Sequence, residues 1–236
     1  MSYRIQTDPR NPVEAVPATV DNVAPSVSVS KTDNSTTTVA LNTDGTIDWW
    51  WFGNQTASNL PYFMTVNGGI GHYAMKRLSP NWLWRGFRWV FGAGSVTATT
   101  AASSRTMTAT IADSLDNVTA VNHTNKTGYG TTTTGLAGFG MHLTLPTSEV
   151  SRRLRIYTVA TSCDVVCNAT VYGNDGTTAT DTKTVVTASG ATNHSIWEIT
   201  FAAPSRGGRL VIDLHVTNNN NATCNLTVQA MSLAEP

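Results

Sequence analysis

Seven tryptophans and a scatter of arginines carry most of the recognition chemistry in this chain. Trp49, Trp50, Trp51 and Phe52 are consecutive. On a strand, successive side chains point to opposite faces, so Trp49 and Trp51 share one face and Trp50 and Phe52 the other. One pair fills a core. The other can stack on the CH-rich face of a sugar ring, or be covered by a loop or a neighbouring subunit. A second aromatic run, NWLWRGFRWVFG, holds Trp82, Trp84, Arg85 and Arg88. If extended, it puts Phe87, Trp89 and Phe91 on one face and Arg88 and Val90 on the other. Arg85 and Arg88 can lie on indole faces as cation–π pairs, and Trp and Arg are enriched at interface hot spots. Trp49, Trp51, Trp82, Trp84, Arg85 and Arg88 are therefore the expected contacts for a ligand or a subunit, with core packing as the competing use of the same residues.

Residue types suited to catalysis are present without the spacing that catalysis needs. No Gly-x-Ser-x-Gly elbow, HExxH motif or P-loop occurs. Gly68-Gly69-Ile70-Gly71 has no following Lys-Ser/Thr and reads as a loop. His72, His123, His142, His194 and His215 lack metal-ligand spacing. Asp44 and Asp48 form a carboxylate pair, but Asp44 falls in an Asp-Gly turn, and acid–base work needs an enclosed site. The expectation is a protein that is not an enzyme and needs no cofactor. A structural calcium ion is the one cofactor weighed, with Asp48 and Asp175 as contributors. Cys163, Cys167 and Cys224 are odd in number and lack CxxC spacing. They read as buried free thiols, with one bridge to Cys224 left open.

The elements that position these residues read as strands. SVTATT, RTMTATI and NVTAVNHT alternate with period two, and GMHLTLP, RRLRIYTVA, VVCNATVYG, SIWEITF, RLVIDLHVT and CNLTVQAMSL follow. Leu154, Ile156 and Thr158 face one way and Arg153, Arg155 and Tyr157 the other. Leu210, Ile212 and Leu214 oppose Val211, Asp213 and His215 in the same manner. Turns fall at Asp44-Gly45, Asn174-Asp175-Gly176, Gly207-Gly208 and Asn218 to Asn221. Eight to ten strands at this spacing predict a β-sandwich, and no helix beyond a turn or two is expected.

Composition agrees with this. Apolar residues make up 40%, enough for one large domain or two small ones. The 39 Thr, 19 Asn, 18 Ser and 18 Gly suit strand faces and corners. Only 13% of residues are charged, and the net charge is zero. That excludes the basic footprint of a nucleic-acid binder and of a membrane-surface protein. No apolar run is long enough to span a bilayer. Residues 1–35 contain Pro9, Pro12, Pro17 and Pro25 and few large apolar residues. They are expected to form an extended arm that anchors to neighbouring subunits, followed by a single domain over 36–236.

The order of motifs from about residue 42 to 234 resembles the galactose-binding-like jelly-roll modules of secreted bacterial carbohydrate-binding proteins. NTDGTIDWWWFG is similar to that family's strand entry. HYAMKR places an aromatic before a basic residue as the family does. FRWVFGAGSVTATT, GLAGFGMHLTLP, RRLRIYTVATSCDVVCNATVYGNDG and RGGRLVIDLHVTNNNNATCNLTVQAMSL follow in the family's order. The resemblance implies a jelly-roll β-sandwich. The triple Trp, the long aromatic run and the Arg-rich strand lie outside the family pattern, so what it carries is the fold rather than the ligand site.

The N-terminal stretch MSYRIQTDPRNPVEAV has no apolar segment of the kind that directs export, while the Thr/Asn/Gly composition is that of a protein exposed to the outside. The two together point to a chain made in a host cytoplasm and displayed on a virion surface. The expected function is a phage structural accessory protein of the capsid decoration or cement type. It would be held by its arm on a major capsid or tail protein, oligomeric, with the sandwich outward and with no nucleic-acid or membrane partner. The alternative is a carbohydrate-binding module of a tail fibre, tailspike or adhesin that reads surface glycan, extracellular in either setting.

Overall fold

A computed structural model describes residues 24–33, 38–51, 63–66, 69–72, 74–77, 83–90, 94–100, 106–111, 121–125, 127–133, 138–145, 151–202, 207–222 and 224–236. The first half of the chain contributes β1 (Ser26–Asp33), β2 (Val39–Ala40), the single helical turn α1 (Leu41–Asp44), β3 (Asp48–Trp51), β4 (Phe63–Val66), β5 (Gly69–His72), β6 (Ala74–Arg77), β7 (Leu83–Val90), β8 (Gly94–Thr100), β9 (Met107–Ile111) and β10 (Val121–Asn125). The second half contributes β11 (Thr127–Thr133), β12 (Gly138–Leu145), β13 (Ser151–Thr161), β14 (Cys163–Gly173), β15 (Thr178–Val185), β16 (Thr192–Ala202), β17 (Gly208–Asn219) and β18 (Asn225–Ala234).

The last eight strands make a jelly roll. One sheet runs β16-β13-β18-β11 and the other β15-β14-β17-β12, all antiparallel. The chain passes from one sheet to the other at nearly every connection, which is the double Greek key of a jelly roll. The expected all-β jelly-roll sandwich is the observed architecture. Its eight strands occupy 127–234, and the earlier strands widen the sheets. β1 lies beside β16, β8 beside β11 and β7 beside β12. β18 splits its free edge between β11, which pairs with Asn225 to Val228, and β3, which pairs with Ala230 to Leu233. β2, β9 and β10 form a small separate sheet, and β4 and β5 a hairpin.

The core fills the space between the two main sheets. Leu154 and Ile156 of β13, Trp197 and Ile199 of β16, and Leu226 and Val228 of β18 face Val165, Val171, Leu210 and Ile212 of the opposite sheet, all at most 1% exposed. Alternation produces this: every second residue of each strand is apolar and turns inward. Trp197 also brings a polar atom into the core, and its Nε1 donates to Thr158 Oγ1 at 2.8 Å, which removes the cost of an unpaired buried donor.

Two expectations about the chain are corrected. Ser26–Asp33, inside the segment expected to be an arm, is a strand of the domain, paired residue for residue with Ser195 to Ala202. Val29 is buried in the main core, and Val27 packs against it. Ser26 to Ser30 alternate Ser and Val, and Pro25 stands just before the strand, where its missing N–H costs nothing in the ladder. Residues 1–23 and 34–35 of that segment lie outside the described residues. Gly69–His72, expected as a loop, is a strand paired with Phe63–Val66; glycines are allowed there because the partner strand supplies the hydrogen bonds.

The outer face of the β13-bearing sheet is not bare. The chain from β2 through α1 crosses it, placing Val39 and Leu41 over Trp49, Tyr157, Ala230 and Ile196 in a second buried cluster. Among the described residues no helix is long and apolar enough to cross a membrane.

Candidate functional site

On the other sheet, the outer side of β14, β15 and β17 carries residues that are half-buried or exposed, set in rows in register. Tyr172 of β14 sits between Thr178 of β15 and Arg209 of β17. Thr170 lies between Thr180 and Val211, and Asn168 between Thr182 and Asp213. Their chain neighbours Val165, Cys167, Ala169 and Val171 fill the core, so Asn168, Thr170 and Tyr172 must face outward. Hydroxyls and amides join across the strands. Thr182 Oγ1 donates to Asn168 Oδ1 at 2.9 Å, and the Thr170 and Thr180 hydroxyls share a hydrogen bond of 3.0 Å. His215 Nδ1 meets Asp213 Oδ1 at 3.1 Å.

At one end of the face stands an aromatic–cation platform. Tyr172 is 37% exposed, high for so large an apolar ring, and the Arg209 guanidinium carbon lies 4.8 Å from its centroid. A cation over the ring fixes both side chains. The backbone that brings them together depends on glycine. A Cβ at Gly208 would lie 2.1 Å from the Tyr172 carbonyl oxygen, so only glycine admits β17 this close. The preceding Gly207 takes φ of 72° to start the strand. The hairpin between β14 and β15 is closed by Gly176 at φ 87° and by Asp175, whose Oδ1 accepts from the Thr177 N–H at 3.0 Å and its hydroxyl at 2.5 Å. Asp175, weighed as a calcium ligand, thus has its carboxylate engaged in a turn. Among the described residues no three or more His, Cys, Asp or Glu side chains gather where they could hold a metal ion.

The residues expected at a contact site are distributed as follows. Arg85 pairs in register with His142, which pairs with Val211, and Arg88 pairs with Gly140, which pairs with Asp213. Both arginines therefore fall in the rows that contain Thr170 and Asn168. Trp84 falls in the row of Leu143 and Leu210, both fully buried. Trp51 pairs with Ala230 and Ala74. Trp82 lies outside the described residues. Trp49 is 0% exposed and belongs to the second buried cluster, so the core use weighed for it is the one it has. Tyr172 and Arg209 were missed. Their signal was the alternation of Asn168, Thr170 and Tyr172 against Cys167, Ala169 and Val171, which is as regular as that of β13 and β17.

A second polar cluster sits beside Trp49. Asp44 accepts hydrogen bonds from the hydroxyls of Tyr157 and Ser232, and from Arg155 Nη1 at 2.6 Å. Arg155 Nε also donates to Glu198 Oε2 at 2.8 Å. Burial alone would raise the Asp44 pKa, but the hydroxyls of Ser232 and Tyr157 and the Arg155 charge outweigh it and hold the carboxyl below its usual range. Burial, then the neighbouring Asp44 charge, push the Tyr157 phenol up, so it remains a donor. Every group of this cluster is committed to its neighbours, and the result is a latch that ties α1 to the sheet.

No family model matches the chain, and no curated protein matches it. Two solved structures are similar to it. One is the enzymatically active domain of tailspike protein 4 of bacteriophage CBA120, at 12% identity and a TM-score of 0.36, over 66% of this chain and 20% of that one. The chain thus spans about a fifth of the tailspike structure's length. The other is from a study of the promiscuous specificity of carbohydrate-binding modules of the β-sandwich superfamily. It shows 14% identity and a TM-score of 0.34, over 91% of this chain and all of that one.

Proposed function

We propose that this protein is a non-catalytic glycan-binding module that reads sugar on the outer face of the sheet containing β14, β15 and β17. The observation that carries the reading is the exposed Tyr172, held by Arg209 at the end of a ladder of hydroxyl and amide groups. A sugar ring has an apolar CH face and a rim of hydroxyls. The exposed part of the Tyr172 ring suits the first, and Asn168, Thr170, Thr180 and Thr182 suit the second. These groups stand on paired strands rather than loops, so little order has to be gained on binding. An open face leaves its ligand in contact with water, which favours recognition over acid–base chemistry.

The capsid-decoration expectation rests on residues 1–35 as an anchoring arm and on an outward-type composition without an export segment. Ser26–Asp33 is part of the domain, and the glycan reading is the one that the exposed Tyr172 and its Arg209 partner support. A glycan array followed by calorimetric titration of the best ligand tests it. Tyr172→Ala and Arg209→Ala should each lower affinity about tenfold or more, on the order of 1.4 kcal/mol, with circular dichroism unchanged. Absence of any bound glycan, or full binding by both variants, would refute the reading.

A further inference from the structure

We propose that Cys163 and Cys224 become joined in a structural disulfide when the chain folds in an oxidising environment, while Cys167 stays a thiol. The two residues occupy adjacent turns at one end of the sandwich. Cys163 opens β14 directly after Ser162, whose φ of 52° reverses the chain out of β13. Cys224 immediately precedes β18, and β13 and β18 are neighbours, with Thr161 opposite Asn225. The turns are tied together by the Asn220 N–H, which donates to the Ser162 carbonyl at 2.8 Å. The Cys163 thiol donates to the Asn225 carbonyl, next to Cys224, at 3.4 Å. Cys163 is 0% exposed, Cys224 1%, and both belong to the main core.

A hydrogen bond shared with Cys224, and burial, raise the Cys163 thiol well above its usual value. The pairing of Thr161 with Asn225 sets the two cysteines at adjoining ends of neighbouring strands, the close approach that a disulfide requires. Cys167 differs. Its register partners are Leu214 and Lys183 rather than a cysteine, and burial raises its thiol too. Since the thiolate is the reactive form, the native pair is a poor nucleophile and the bond must form before the core closes. With oxidised glutathione as oxidant, one cysteine thiolate attacks its disulfide, giving a mixed disulfide and releasing one glutathione. The second cysteine thiolate then attacks the protein-bound sulfur and releases the other glutathione. Two thiol protons are lost, two protein sulfurs are oxidised, and one glutathione disulfide is reduced to two thiols.

The cross-link is independent of the glycan reading. It closes a loop of roughly sixty residues, which restricts the unfolded chain. The full chain is refolded from denaturant with either oxidised glutathione or a reducing agent, then unfolded and labelled with N-ethylmaleimide. The expected result is one adduct after oxidative refolding and three after reductive refolding. Peptide mapping should link Cys163 to Cys224, and the oxidised form should melt about 5–10 °C higher. Cys167→Ala should keep the link and the rise, and Cys224→Ala should lose both. Three adducts after oxidative refolding, or a link through Cys167, would overturn the proposal even if Cys224→Ala fails to fold.

Discussion

Asp44 shows how much one side chain can organise. It ends a single helical turn, and its carboxylate gathers Tyr157, Ser232 and Arg155 from two adjacent strands. Asp44→Asn removes the charge that Arg155 faces and at least one acceptor interaction. We expect a loss of about 1–3 kcal/mol at neutral pH in urea unfolding. The pH dependence follows from the depressed carboxyl. In the unfolded chain Asp44 titrates near its ordinary 3.8, and in the fold below that. Its contribution is therefore complete only above about pH 5 and disappears as pH falls through the folded value. Wild-type stability should drop between about pH 5 and 2 more steeply than that of Asp44→Asn, and parallel curves would show that Asp44 contributes nothing to acid sensitivity.

At the scale of elements, β1 decides how the sandwich ends. It covers the edge of β16, and its own Val29 N–H donates to Asp181 Oδ2 of β15, in the other sheet, at 2.6 Å. One carboxylate thus occupies an edge donor and bridges the two layers, a way of blunting an open strand. Truncation through Asp33 should cost several kcal/mol, since it removes the buried Val29 and eight ladder residues. It should also produce concentration-dependent association as β16 becomes an exposed edge, visible in sedimentation velocity. A truncated chain that keeps its denaturation midpoint and stays monomeric would mean that β1 is only an appendage.

For the whole molecule, the consequence of the jelly roll is long-range pairing. Ser26 lies opposite Ala202, and Trp51 opposite Ala230. Such contacts close large loops before they gain any energy, so folding should be slow, on the order of milliseconds to seconds. Stopped-flow refolding followed by tryptophan fluorescence tests this, and a main phase completed within about a hundred microseconds would contradict it. Among the described residues, Tyr172 and Arg209 stand exposed on one sheet face, while β2 and α1 cover the outer face of the other sheet. That asymmetry makes the β14 side the one available to the proposed glycan.

The alternation of β13 and β17, the Asn174-Asp175-Gly176 turn and the Thr-rich composition were legible in the residues alone. They express rules that act within a strand or a turn, and they sufficed to determine an all-β chain with the correct inward sets. What covers a face is not local. Trp49 is buried because β2 and α1 cross over it, and β1 is a strand because β16 offers it an edge. The meeting of Asp44 with Ser232, and of Cys163 with the turn before β18, joins positions far apart in the chain. Only the tertiary structure could decide these, because burial and pairing depend on which distant segment arrives, and period-two patterning says nothing of that.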